Sequence, residues 1–334
     1  MTEIALQLTR SLIPPVYYRL SAVTEGQFSY GYYGVRHPGA IPSIHFSEVL
    51  TAFNSLARAV ANSQARRDPC SEEEIKALVN LTEGFLFRLI NYFEGGHEIF
   101  LCFCDQLEKP SPRRPLQRWL NEKGYQPDVE SYFLQTAPDL ERYRNFFNAL
   151  KHSSNRTIIF QFLNRQKPMK ALGFYLEGVD ETGAIGPIMD LHATYQDSPT
   201  AWSYNLHLRN FYFLIYKIAA EMDTVTQRLC LRAGTPLPPP NTPLVSIGIE
   251  TIAGTAVTET VSRFETSFIT FYPQEAEEKV KSVSIDPSDG VMAFSDCLGG
   301  ERALSPRQGS GVIMTSRGDR FSRTWKLPYF KQQG

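Results

Sequence analysis

The sequence predicts a mainly helical α+β protein: a helical bundle with a β-strand insertion and a small β-rich C-terminal module. Apolar residues recur at helical spacing through residues 46 to 64 and again from 71 to 107. Between 157 and 195 the pattern changes to short β-branched and aromatic runs, and prolines crowd together within 234 to 243. The chain therefore divides into an N-terminal arm (1 to 45), a helical domain (46 to 233) that carries the strand insertion (157 to 195), a Pro-rich linker (234 to 243), and a β-rich module with a basic tail (244 to 334).

The arm is rich in Tyr, Pro and Gly, a composition typical of irregular chain. It predicts one or two short strands around residues 16 to 35, wrapped over a helical core. The first predicted helix follows at 46 to 64, where apolar side chains return every three or four residues.

The longest helix is predicted to begin after Ser71, because Ser71 and Glu74 have the spacing of a capping box. Its apolar stripe continues for more than five turns. Two alternatives remain for its end: Gly95 and Gly96 terminate it, or it continues with a kink through the apolar run that ends at Leu107.

The next elements alternate between helix and strand. A short helix is predicted around Leu116 to Glu122 and is stopped by Gly124, and Thr136 with Asp139 around Pro138 marks the start of a helix that ends near Ser153. Three strands follow, at Thr157 to Leu163, Ala171 to Leu176 and Ala184 to Tyr195. A last long helix is predicted at Trp202 to Arg232. In the C-terminal module, β segments are predicted at 244 to 252, 256 to 271 and 279 to 285.

Composition favours a globular protein of a reducing compartment. The 34 Lys and Arg residues nearly balance the 35 Asp and Glu residues, so binding to nucleic acid must come from local patches. Five cysteines, an odd number, argue against a disulfide framework, and Cys102 and Cys104 are expected to be small core side chains rather than zinc ligands. Neither a signal peptide nor a membrane span is recognised, so the expectation is a soluble cytoplasmic protein without a metal or cofactor.

Residues 142 to 152 form the most informative segment of the chain. On an ideal helix Arg144, Asn148 and His152 lie at roughly 0°, 40° and 80° around the axis, beside an apolar stripe. That stripe consists of Leu140, Tyr143, Phe147 and Leu150. Asn145 and Asn148 are unfavourable inside a helix, which indicates that they are present for a reason other than helix formation.

These residue types suit phosphate chemistry. An Arg guanidinium binds phosphate with a planar set of donors, Asn supplies neutral donors, and His transfers protons near neutral pH. Together they describe metal-independent RNA cleavage, in which His withdraws the proton of the 2′-hydroxyl or protonates the leaving oxygen. The candidate catalytic residues are Arg144, Asn145 and His152, and the candidate substrate-binding residues are Asn148, Lys151 and Arg156.

With Arg144, Asn145 and His152 near the end of a core helix, the segment resembles the HEPN family of helical nucleotide-binding proteins and ribonucleases. The order of elements across residues 46 to 232 is similar to that family as well. The resemblance implies an endoribonuclease that acts as a homodimer, with a defence or toxin role and a protein antitoxin or regulator as partner. Family members usually place four to six residues between Arg and His, whereas this chain has seven. Either a composite site takes Arg144 and His152 from different chains, or Asn145 takes the orienting role and Arg144 only binds phosphate.

Other interpretations of the same residues stay open. Lys151 and His152 interact favourably with the dipole at a helix C-terminus, which explains them without any catalytic role. Arg142 and Arg144 can form surface ion pairs with Glu141 or Asp139. A weaker hypothesis places His207 and Arg209 near the same cleft. Local basic clusters around the motif helix and in the tail could line an RNA path; they contain Arg113, Arg114, Arg118, Lys151, Arg156, Arg165, Lys167, Lys170 and the arginines beyond Glu301. The alternative function is a non-catalytic helical module for dimerisation or ligand sensing.

Overall fold

The computed structural model describes two parts of the chain. From residue 13 to 234 it covers 13–23, 28–66, 68–111, 115–152, 155–164, 169–179, 185–188, 190–192, 194–195 and 198–234, and further on it covers the strands at 282–286, 289–299, 301–303, 315–316 and 319–331. The described chain is mainly helical with added β structure, which confirms the predicted class of a mainly α, α+β protein.

The arm is helical where it is described, so the prediction of strands around residues 16 to 35 is wrong. Helix α1 spans Pro15–Ser21 and helix α2 spans Tyr30–Tyr33. Pro15 occupies the first turn of α1, where its missing N–H is no loss. Val16, Tyr17 and Leu20 are buried in the helical core, and this tertiary packing overrides the strand propensity of the segment.

Two long helices form the centre of the core. Helix α3 spans Ala40–Ala65 and α4 spans Glu72–Cys102. The predicted capping box is confirmed: the Glu74 amide donates to Ser71 Oγ at 3.2 Å, and the Ser71 amide donates to Glu74 Oε2 at 2.8 Å. Buried Phe53, Phe85 and Leu89 contribute to the apolar core between these helices.

Helix α4 runs without interruption through Gly95 and Gly96, so neither glycine ends it. Their role is close packing. A Cβ atom at Gly95 would lie 2.7 Å from the His45 ring, and one at Gly96 would lie 2.5 Å from the Tyr132 hydroxyl. Both glycines therefore let side chains of neighbouring helices approach the backbone of α4.

Three further helices complete the helical part: α5 (Leu116–Glu122), α6 (Gln126–His152) and α7 (Tyr204–Arg232). The prediction for α5 is confirmed, with Gly124 after it at φ +81°. The predicted start of α6 near Thr136 is wrong, because the helix already begins at Gln126 and includes Pro138. Thr136 is buried within the helix and its hydroxyl donates to the Tyr132 carbonyl oxygen, instead of capping a new helix.

The strand insertion packs beside α6 and α7. Strand β1 (Arg156–Asn164) pairs antiparallel with β2 (Met169–Val179), and β2 also pairs with β3 (Ile185–Pro187) and β5 (Ser198–Ser203). The third predicted strand is in fact two short ones, β3 and β4 (Thr194–Tyr195), and β4 pairs with β5. Trp202 belongs to β5, so α7 begins at Tyr204 rather than at Trp202.

The C-terminal part contains strands where it is described: β6 (Ser282–Asp286), β7 (Asp289–Gly299), β8 (Glu301–Ala303), β9 (Thr315–Ser316) and β10 (Asp319–Lys331). Strands β6, β7 and β10 form one sheet, whereas β8 pairs with β5 of the insertion. The division into a separate module stays a prediction. Apart from Gly234, the predicted linker lies outside the described residues, as do the segments 244 to 252 and 256 to 271.

Candidate functional site

The last turns of α6 present a polar surface to solvent. Asn145, Asn148, Lys151 and His152 are exposed, and the Arg144 side chain is 43% exposed. The buried side of the same turns consists of Tyr143 and Phe146, whereas Phe147 and Leu150 of the predicted apolar stripe are only half-buried. The predicted site residues of α6 therefore lie on or beside one accessible stretch of the helix.

Arg144 has a carboxylate neighbour on a different helix. Its Nη2 atom lies 3.6 Å from Oε1 of Glu94 in α4, and its guanidinium lies 5.9 Å from the centre of the Phe93 ring. Asp139, which the sequence suggested as a partner, instead binds Lys217 at 2.8 Å. An exposed ion pair of this kind contributes at most about 1 kcal/mol, so the Arg144–Glu94 contact costs little to break.

Arg144 and His152 do not converge within one chain. Eight helical steps separate their Cα atoms by about 12 Å along the axis and by roughly 80° around it. The Arg144 guanidinium also turns towards α4, whereas His152 stands at the end of α6. A single phosphate bound to one chain would therefore contact one of these residues but not both.

An aromatic pair adjoins Arg144 and was not anticipated from the sequence. The Phe147 ring of α6 and the Phe87 ring of α4 have centres 5.7 Å apart. Each ring carries a cation: Lys151 Nζ lies 5.2 Å from the centre of Phe147, and Arg88 Cζ lies 5.7 Å from that of Phe87. Phe87 is 40% exposed. In the sequence, Phe87 lies off the apolar stripe of α4, and this position would have predicted an exposed aromatic ring.

Behind α6 lies a buried cluster of polar rings. Tyr143 Oη is hydrogen-bonded to His207 Nδ1 at 2.8 Å, and the centre of the Trp202 ring lies 4.9 Å from that of His207 and 4.8 Å from that of His192. His192 Nε2 accepts from the Leu176 amide at 3.1 Å. His207 is fully buried, which contradicts the hypothesis that it lies in a cleft with the motif residues. The Arg209 side chain lies outside the described residues.

Burial holds these histidines in the neutral form. It lowers the pKa of His192 from 6.5 to about 3, and it holds the pKa of His207 well below its usual value, with smaller contributions from Arg142 and His192. His97 of α4 behaves in the same way: burial, followed by the charge of Arg144, lowers its pKa to about 3. These rings belong to the hydrophobic core and do not transfer protons at the surface of α6.

The predicted basic clusters are placed only in part. Arg156 begins β1 and pairs with Glu177 at 2.6 Å, and Arg118 pairs with Glu122 at 2.9 Å. Both are exposed pairs on the protein surface. The remaining members lie outside the described residues or have side chains that do: Arg113, Arg114, Arg165, Lys167, Lys170 and the tail arginines.

The cysteines are buried core side chains where they are described, as predicted for Cys102 and Cys104. Burial raises the pKa of the Cys104 and Cys230 thiols to about 12. Within the described chain no three His, Cys, Asp or Glu side chains gather in a way that could hold a metal ion. In the same residues, no helix is both long and apolar enough to cross a bilayer.

No protein-family model, curated protein or solved structure matches this chain.

Proposed function

We propose that this protein is a metal-independent endoribonuclease of the HEPN type that binds RNA on the accessible end of α6. The observation that carries the proposal is the exposure of Asn145, Asn148 and His152 beside Arg144 on one helix. Side chains that serve only packing would be covered, and these are not. The group offers an anion-binding guanidinium, two amides and an imidazole, which is a sufficient set for phosphodiester transesterification.

The chemistry assigns one role to each side chain. The 2′-oxygen attacks the adjacent phosphorus, the 5′-oxygen of the next nucleotide leaves, and a cyclic phosphate remains. His152 takes the proton from the 2′-hydroxyl or gives one to the departing oxygen, and Arg144 stabilises the charge on the phosphate oxygens. Asn145 orients the phosphate, and Asn148, Lys151 and Arg156 bind the neighbouring nucleotides of the RNA backbone.

The separation of Arg144 from His152 favours a site shared by two chains. In a two-fold dimer, each of two equivalent sites would take Arg144 from one protomer and His152 from its partner. Complementation tests this arrangement directly. A mixture of inactive Arg144→Ala and inactive His152→Ala chains should regain roughly a quarter of wild-type activity, because half the dimers are mixed and each has one intact site.

The decisive experiment is cleavage of mixed-sequence RNA in EDTA by purified wild type, His152→Ala and Arg144→Ala. Arg232→Ala is the matched control, since Arg232 is also a helical arginine in an ion pair and its side chain is 44% exposed. Loss of cleavage in the two site variants, with wild-type activity in the control and unchanged circular dichroism, is the expected result. Undiminished cleavage by folded His152→Ala would reject the assignment of the site.

The second candidate is a non-catalytic helical module that binds RNA or a nucleotide. The observation in its favour is the pairing of Arg144 with Glu94, which turns the guanidinium away from His152. It predicts saturable RNA binding by the wild type without turnover, and an absence of activity in the complementation mixture. Turnover that depends on His152 would exclude it.

A further inference from the structure

Phe87 stands on a solvent-facing stripe of α4 that is otherwise small or polar. The stripe follows helical spacing and consists of Ala77, Asn80, Gly84, Phe87, Asn91, Glu94 and Glu98. Most of its members are exposed, whereas the large apolar side chains of the α4 sequence pattern are buried or half-buried. Phe87 is 40% exposed and packs against Phe147, so this position places an accessible aromatic ring at the surface of α4.

The Phe87 and Phe147 rings together form a platform that bridges two helices. We use the name ring platform for this pair, whose planes are inclined by 39°. Both helices are anchored by extensive core packing, so the rings are held in place before any ligand arrives. The ammonium of Lys151 makes no ion pair among the described residues, and it leaves a positive charge beside an accessible aromatic surface.

Gly84, one turn before Phe87, leaves bare backbone at the edge of the ring platform. A Cβ atom there would meet nothing within 4 Å, so no neighbouring group in the structure requires glycine. Glycine inside a helix costs about 0.5 to 1 kcal/mol relative to alanine. A position that accepts this cost without a packing reason is suited to the close approach of a ligand.

We propose that the ring platform stacks an unpaired base of single-stranded RNA, while Lys151 and Arg144 bind the adjoining phosphates. This inference rests on the proposed function and names its substrate class. Bases in a duplex are covered by their neighbours, whereas an unpaired base offers an open face to an aromatic ring. Cations next to exposed aromatic rings supply both parts of single-strand recognition, namely stacking and attraction of the backbone.

The test measures binding separately from cleavage. A labelled, unstructured RNA and a hairpin of matched length are titrated by fluorescence anisotropy against protein that carries His152→Ala, so that neither RNA is cut. On that background we compare Phe87→Ala, Phe87→Tyr and Leu231→Ala. Leu231 is the matched control because it is a large apolar side chain, 72% exposed, on α7 and outside the ring platform.

The expected result is preference for the unstructured RNA, a loss of about tenfold in affinity for Phe87→Ala, and little change for Phe87→Tyr and Leu231→Ala. Gly84→Leu should also weaken binding several-fold, since its side chain would project over the approach to Phe87. Sedimentation velocity accompanies each titration. It detects the competing explanation, in which a second copy of this chain covers the rings.

Each outcome decides the proposal. Equal affinity of Phe87→Ala and its His152→Ala parent overturns it, as does a parent that binds neither RNA. A dimer that dissociates on Phe87→Ala without any effect on RNA affinity assigns the ring platform to a second copy instead. If binding depends on Phe87 but the wild type does not cleave RNA, the ring platform stands and the ribonuclease proposal fails.

Discussion

At the scale of the residue, the ion pair with Glu94 bears on whether the Arg144 guanidinium can bind a phosphate. The two side chains meet across α4 and α6 at 3.6 Å, and both are about half exposed, 43% for Arg144 and 51% for Glu94. Such a pair adds little stability but places a negative charge where a phosphate would bind. If Arg144 binds RNA as proposed, Glu94 would therefore compete with the substrate phosphate for the guanidinium.

Glu94→Gln should strengthen RNA binding several-fold while it changes the free energy of unfolding by less than about 1 kcal/mol. The matched control is Asp128→Asn, which removes the partner of Arg232 in the same way. Anisotropy titrations of both variants check this prediction. Equal effects of the two substitutions would show that only bulk charge matters.

A second residue pair, Arg19 with Asp223, attaches α1 to α7. Arg19 Nη1 donates to both carboxylate oxygens of Asp223, at 2.8 and 3.0 Å, and the Asp223 side chain is only 11% exposed. Burial raises the pKa of Asp223, and Arg19 opposes this rise. Arg19→Met should destabilise the protein by about 2 to 3 kcal/mol, because it leaves a buried carboxylate without its partner. Urea denaturation at neutral pH measures the loss, and Arg19→Met with Asp223→Asn should recover part of it.

At the scale of the element, two glycines of α4 have opposite surroundings: Gly96 is closely packed, whereas Gly84 is not. Gly96 lies against Tyr132, whose ring stacks on Phe93 at 4.9 Å and whose hydroxyl donates to the Phe93 carbonyl oxygen at 2.7 Å. This ring cannot retreat without losing both contacts. Gly84 faces open space.

Gly96→Ala should therefore destabilise the protein by about 1 to 3 kcal/mol through overpacking, and Gly84→Ala should stabilise it by about 0.5 to 1 kcal/mol through helix propensity. The midpoint of urea denaturation measures both changes. A loss of stability in Gly84→Ala would mean that this turn of α4 is packed against something after all.

Local patterns predicted residues 46 to 64 of α3, α5 and the capped start of α4, because the residues that form each of these features are close neighbours in sequence. They missed the first turns of α3, which begins at Ala40 within the predicted arm. They did not predict where α6 begins. Pro138 resembles the first turn of a helix, yet α6 includes it, with Val129, Tyr132 and Phe133 packed on the core before it. Burial of that extra length outweighs the hydrogen bond that proline cannot donate.

At the scale of the whole molecule, three buried neutral histidines link stability to pH. His97, His192 and His207 lie in contact regions between different elements, and burial lowers the pKa of each. In the unfolded chain they bind protons below about pH 6.5, but in the folded protein they do not. Their contribution to the free energy of unfolding should accordingly be fully present above pH 6.5 and should be lost as the pH drops towards 3.

Each histidine should contribute a slope of about 1.4 kcal/mol per pH unit once its unfolded form is protonated. Urea denaturation between pH 7 and pH 5 measures the total slope before most carboxylates titrate. His97→Leu should lower that slope by about one proton. An unchanged slope in this variant would contradict the assignment of His97 as buried and neutral.

The sequence by itself determined the mainly helical class, most helix positions, the β1 and β2 strands and the polar row at the end of α6. Periodicity and capping are properties of residues a few positions apart, so they can be recognised without coordinates. Only the tertiary structure decided that Arg144 meets Glu94, that His207 is buried beneath α6, and that Phe87 joins Phe147 at the surface. These contacts join residues separated by tens of positions, and the packing of whole helices selects them.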